Sequence, residues 1–228
     1  PTDRMWFSEL YRISPLGTLG TFTTGLANGA LWGLIPLAAI RFGLSTASVA
    51  TLMSLIILGG VVFQWPIGWV SDRVDRRKVI VVASVILVAS SLALYFVASR
   101  GVEFLFVLGF VFGGMSLVLY PLCAAHTNDR VSGSERVPVI AGLLLVFGIG
   151  AVIGPLLGAL VMEILGDLSV FLYIAGVQAL LLIFVLLRIR DGEPVLPEDR
   201  SVFEPVVTEP TTAIFDAQVL PEEEGGQT

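Results

Sequence analysis

The chain has 228 residues, of which 55% are hydrophobic and 14% charged, and its mean hydropathy is +0.89. A water-facing surface needs far more charge than this, so a soluble globule is excluded and a bilayer-embedded protein is indicated. The net charge of −6 does not describe the membrane part, because ten of the nineteen acidic residues fall between Asp191 and Thr228, where Arg200 alone opposes them.

Residues 1–14, with Met5, Trp6, Phe7, Ser8, Glu9, Leu10, Tyr11 and Arg12, read as a cytoplasmic juxtamembrane lead-in. Residues 15–190 form the transmembrane domain. A helix crossing a hydrocarbon core of ~30 Å needs about 20 apolar residues, and six runs meet that length: Leu16–Ile40, Ala47–Val70, Val79–Ala98, Phe104–Ala125, Val137–Leu165 and Val170–Ile189. They are continuous rather than alternating in segments of about ten, so an all-α membrane protein is expected and a β-barrel is not. The first run is too long for a signal peptide, lacks a small-residue cleavage site and is followed by five more.

In the first span Thr21, Thr24, Asn28 and Trp32 recur at helical spacing on one face, with Gly25, Gly29 and Gly33 beside them. The second carries Gln64 and ends in a charged hairpin from Gly68 to Lys78, containing Asp72, Arg73, Asp75, Arg76 and Arg77. Trp6, Trp65 and Trp69 read as interfacial or packing aromatics. The fourth span holds Gly109, Gly113, Tyr120 and Cys123 and ends in His126, Asp129 and Arg130. Ser132, Gly133, Ser134 and Glu135 form a capping box that would start the fifth helix. That helix carries Gly150, Gly154, Pro155 and Gly158, small residues every four positions that suit close helix packing, with a kink at Pro155. Glu163 lies near its outer end, and Gln178 sits within the sixth span. Residues 191–228, with five prolines and the run Glu222, Glu223, Glu224, Gly225, Gly226, have the composition of a disordered acidic tail.

Lys and Arg near short loops stay on the cytoplasmic side. With both termini inside, every one of the thirteen basic residues except Arg41 and Arg100 is cytoplasmic. Translocating the basic hairpin instead would cost about 2.5–3.5 kcal/mol per charge. The inventory argues against an enzyme. Ser116 and His126 stand about 15 Å apart on one helix, no Asp lies mid-span for an aspartyl dyad, and one His with one Cys offers no metal site. No cofactor is implied, and nothing points to nucleic acid; the bilayer is the partner the composition demands.

Leu34, Ile35, Pro36, Leu37, Ala38, Ala39 near the end of the first span read closely like Leu119, Tyr120, Pro121, Leu122, Cys123, Ala124 near the end of the fourth. This points to two three-helix repeats, the second inverted because three is odd. The segment Gly68, Asp72, Arg73, Asp75, Arg76, Arg77, Lys78 resembles the signature between the second and third helices of each half in the major facilitator superfamily, with Asp75 where that family has its second glycine. The substitution leaves the family's left-handed turn without its permissive residue. The Gly150–Gly158 pattern resembles the fifth helix of many superfamily antiporters.

The resemblance implies a bacterial inner-membrane carrier of two six-helix halves, of which this chain, opening on Pro1, looks like the C-terminal one. The partner would be an N-terminal six-helix half or a second copy, and the cargo a small solute moved by alternating access. In the family the first and fourth helices of each half line the cavity, which makes Thr21, Thr24, Asn28, Trp32 and Tyr120 candidate solute contacts, with Gln64 and Gln178 weaker ones. Thr and Asn serve equally well as interhelical hydrogen-bond glue. Uncharged candidates suit a neutral or weakly charged solute. Gly68, Asp72, Arg73, Arg76, Arg77, Lys78, Asp129 and Arg130 read as a conformational latch. The alternative is a six-helix membrane scaffold, or a component of a larger complex, that carries nothing.

Overall fold

The computed structural model describes residues 7–97, 102–131 and 135–188. It is all helical: α1 Phe7–Ile13, α2 Pro15–Arg41, α3 Thr46–Arg73, α4 Arg76–Val97, α5 Val102–Asn128, α6 Arg136–Leu165 and α7 Ser169–Arg188. Six of these, α2 to α7, are long and apolar enough to cross a membrane. The tail from residue 189 onward lies outside the described residues.

Local chemistry sets the helix ends. Ser14 caps α2, its Oγ accepting from the Gly17 N–H at 3.1 Å, and Pro15 occupies the first helical position, where a missing donor costs nothing. Ser45 does the same for α3 through Ser48 N–H at 3.2 Å. Phe7–Ile13 of the lead-in, read from sequence only as a juxtamembrane segment, fold into α1, and Leu10 is fully buried against Val139, Leu143 and Val146 of α6.

The structure corrects the sequence reading at two places. The charged segment is not an open hairpin, because α3 runs helically through Asp72 and Arg73 and α4 resumes at Arg76, leaving Val74 and Asp75 as the whole corner. No non-glycine residue among those described has a positive φ, so Asp75 occupies no left-handed turn and needs no glycine. At the start of α6, Glu135 is the N-cap and makes no side-chain cap bond, so it is not the N3 partner a capping box requires. Ser132 to Ser134 lie outside the described residues.

The two tightest helix pairs are α2 with α6 and α3 with α5. Next come α5 with α4, α4 with α7, and α2 with both α5 and α7. Glycines make the first two contacts possible. A Cβ on Gly25 or Gly29 would run into the carbonyls of Phe147 or Ala151 on α6, and one on Gly150 or Gly154 into those of Phe22 or Leu26 on α2. On the other side Gly59 faces the Phe110 carbonyl, and Gly113 faces that of Ile56. α2 and α5 are accordingly the most enclosed spans, while α3 and α6 leave most of their surface outward.

Candidate functional site

Two polar constellations stand out in this apolar frame. The first lies where α3, α4 and α5 meet at the end that carries the basic residues. Arg76, 1% exposed, donates through Nε to Asp129 Oδ2 at 2.7 Å and through Nη1 to Ser71 Oγ at 3.1 Å, and its Nη2 pairs with Asp72 Oδ1 at 3.1 Å. A guanidinium out of water is tolerated only with acceptors around its fork, and these three residues supply them. Three helices are thereby tied through one side chain.

Beside it Arg77 forms a separate pair with Asp75, at 3.1 Å from Nη2 to Oδ2. Burial pushes the Asp75 carboxyl up, but hydrogen bonds from the Arg77 side chain and backbone, with its charge, outweigh that and hold it below its ordinary value. The remaining members of the expected latch do not join the cluster. Arg73 lies over the Trp69 ring, 3.8 Å from its centroid, and donates to the Trp69 carbonyl at 3.0 Å. Arg130 donates to the His126 carbonyl at 3.2 Å, Lys78 is exposed, and Gly68 is buried within α3. Ser71 was missed by sequence reasoning, since a serine at a helix end carries no signal until Arg76 folds back over it.

The second constellation runs through the bundle interior. Asn28 on α2 accepts from Ser116 Oγ on α5 at 2.8 Å, and both are buried. Thr24 donates to the Gly20 carbonyl at 2.6 Å within its own helix. Thr21 and Gln178 are fully buried, and among the described residues neither the Thr21 hydroxyl nor either amide atom of Gln178 has a hydrogen-bond partner. Tyr120 packs its ring on Phe147 of α6 at 4.8 Å. The structure does not bring Trp32 into this set. Its side chain is 43% exposed, and Gln64 on α3 is likewise only partly buried. Among the packing residues, a Cβ on Gly33 would stand 3.5 Å from Pro155, and one on Gly158 would press on the Leu34 side chain. Cys123 is buried and free, while Glu163 is exposed.

Comparison with known proteins places this architecture. Residues 17–220 match the Major Facilitator Superfamily. An uncharacterised MFS-type transporter of Yersinia enterocolitica is 33% identical over 193 residues, which are 85% of this chain and 49% of that protein. One from Yersinia pestis is 32% identical over 196 residues, again 85% and 49%. The MFS-type transporter YcaD of Shigella flexneri is 30% identical over 175 residues, 77% of this chain and 44% of that protein. The chain belongs to the Major Facilitator Superfamily, a family of transporters rather than enzymes. It spans about half the length of the curated relatives it matches.

Proposed function

We propose that this chain forms one six-helix unit of a carrier that moves a small, uncharged or weakly charged solute by alternating access in a bacterial cytoplasmic membrane, with both termini in the cytoplasm. The observation that carries the reading is the buried Arg76 cluster. An ion group joining three helix ends at one membrane face is a device for holding a conformation, and a carrier needs such a hold to be made and broken. Asp72, Arg76 and Asp129 are its members. Arg73, Arg77, Lys78 and Arg130 surround it as the basic face that stays in the cytoplasm.

Two inverted three-helix repeats, α2 to α4 and α5 to α7, are supported by the pairing of helices. Exchanging α2 with α5, α3 with α6 and α4 with α7 turns the α2–α6 contact into the α5–α3 contact, and α2–α7 into α5–α4. The match of Leu34–Ala39 to Leu119–Ala124 agrees with it.

The interior candidates divide by their partners. Asn28 and Thr24 have theirs and act as interhelical and intrahelical ties. Trp32 and Gln64 reach the surface of the unit, so a solute held between this unit and a second one touches them without rearrangement. Thr21 and Gln178 are fully buried and become available only when the helices around them move.

Asp72→Asn tests the reading. With the intact carrier at equal membrane abundance, uptake of its solute is expected to fall at least tenfold, while the melting temperature in detergent moves by no more than a few degrees. Unchanged uptake would sink the latch and favour a non-transporting membrane component.

A further inference from the structure

We propose that the groove between α3 and α4 seats one acyl chain of an anionic phospholipid, with the phosphate held at its mouth by Lys78 and Arg73. The groove has a volume of about 360 Å³, within the roughly 300–1,000 Å³ of ligand pockets. Val70 walls it on α3, Val74 at the corner, and Val82 and Ile86 on α4, and Met115 of α5 lies at its floor. Lys78 is the one charged side chain lining it. It exists because α3 packs on α5 through Gly59 and Gly60 while touching α4 only slightly past their shared corner.

Length selects the occupant. From Val74 to Phe63 the groove follows α3 for about 16 Å at ~1.5 Å per residue, and it stops where the Phe63 ring meets Phe110 at 5.5 Å. That is about half of a ~30 Å hydrocarbon core. A transmembrane helix from another protein needs the full thickness, whereas a lipid chain of one leaflet needs half. The open end coincides with the charged end of the bundle, as a phospholipid's geometry requires.

Charge selects the headgroup. The two nearby carboxylates are taken, Asp72 by Arg76 and Asp75 by Arg77, each at 3.1 Å. Among the described residues Arg73 is engaged by Trp69 alone, through its ring and carbonyl, and Lys78 forms no ion pair. Two exposed cations beside an apolar slot suit a phosphate carrying an unbalanced negative charge, and phosphatidylglycerol meets that description where phosphatidylcholine does not. Only the assignment to the cytoplasmic leaflet rests on the topology proposed above.

The test uses the intact protein purified in detergent and titrated with phosphatidylglycerol or phosphatidylcholine, read by native mass spectrometry for retained lipid and by thermal melting. Phosphatidylglycerol is expected to be retained and to raise the melting midpoint, and phosphatidylcholine to do neither. Arg73→Gln with Lys78→Gln should cut phosphatidylglycerol retention at least tenfold. Val82→Trp, at a surface position lining the slot, should do the same while leaving both cations in place. Equal retention of the two lipids overturns the proposal. So does phosphatidylglycerol retention that survives Val82→Trp with the helical content unchanged, because the chain would then lie elsewhere.

Discussion

Arg76 and Gln178 are both buried polar side chains in apolar helices, and they stand in opposite conditions. Arg76 has Asp129, Asp72 and Ser71 within 3.1 Å, so removing the deeply buried Asp129 leaves a charge uncompensated, at about 3–5 kcal/mol, whereas neutralising the more exposed Asp72 costs far less. Among the described residues Gln178 has no partner for either amide atom, which costs about 1–3 kcal/mol for a group left unsatisfied. Gln178→Leu is therefore expected to stabilise the folded protein by about 1–3 kcal/mol, read as a higher melting temperature in detergent. If Gln178 is kept for solute contact, the same variant loses uptake. A lower melting temperature would mean that Gln178 has a partner in the membrane. A sequence can mark both residues as polar in apolar surroundings. It cannot distinguish them, since the difference lies in whether a residue 53 positions away, Asp129, comes within reach.

Helix contacts carry the same lesson on a larger scale. The four-residue spacing of Gly25 and Gly29, and of Gly150 and Gly154, marks faces suited to close approach, but spacing names no partner helix. Gly148, two residues from Gly150 on the same helix, has nothing within 4 Å of where a Cβ would stand, whereas Gly29 faces the Ala151 backbone carbonyl. The two are expected to respond oppositely to alanine. Gly29→Ala forces two backbones apart and should cost about 1–3 kcal/mol. Gly148→Ala should be neutral or stabilise by about 0.5–1 kcal/mol through the entropy of the helix. Equal melting temperatures for the pair would show that the α2–α6 contact is looser than its geometry.

For the whole molecule, the number and places of the spans were legible because bilayer thickness imposes a length that polar residues interrupt visibly. Observed α2, Pro15–Arg41, departs from the expected Leu16–Ile40 by one residue at each end. Less legible was α1, whose burial rests on one residue, Leu10, too little for a periodic pattern in seven residues. The continuity of α3 through Asp72 and Arg73 is hidden in the sequence because a charged run reads as a loop, although charged residues suit a helix end as well. Alternating access requires two units to rock about a common site. Proteoliposomes holding this 228-residue chain alone as a monomer are thus expected to show no solute uptake, and joining it to a second six-helix unit should restore it. Uptake by the chain as a monomer would refute the two-unit reading.

The corner between α3 and α4 has a mechanical meaning. Val74 and Asp75 are the only residues between two long rods, and Arg76 pins the second rod to the end of the first and to α5. A joint that short has no slack. Tilting α3 drives α4 like the second arm of a bell-crank, and the torque falls on the Arg76–Asp129 pin. Lengthening the joint by a few flexible residues would let each arm swing without the other, and the stroke would be lost with every helix still intact.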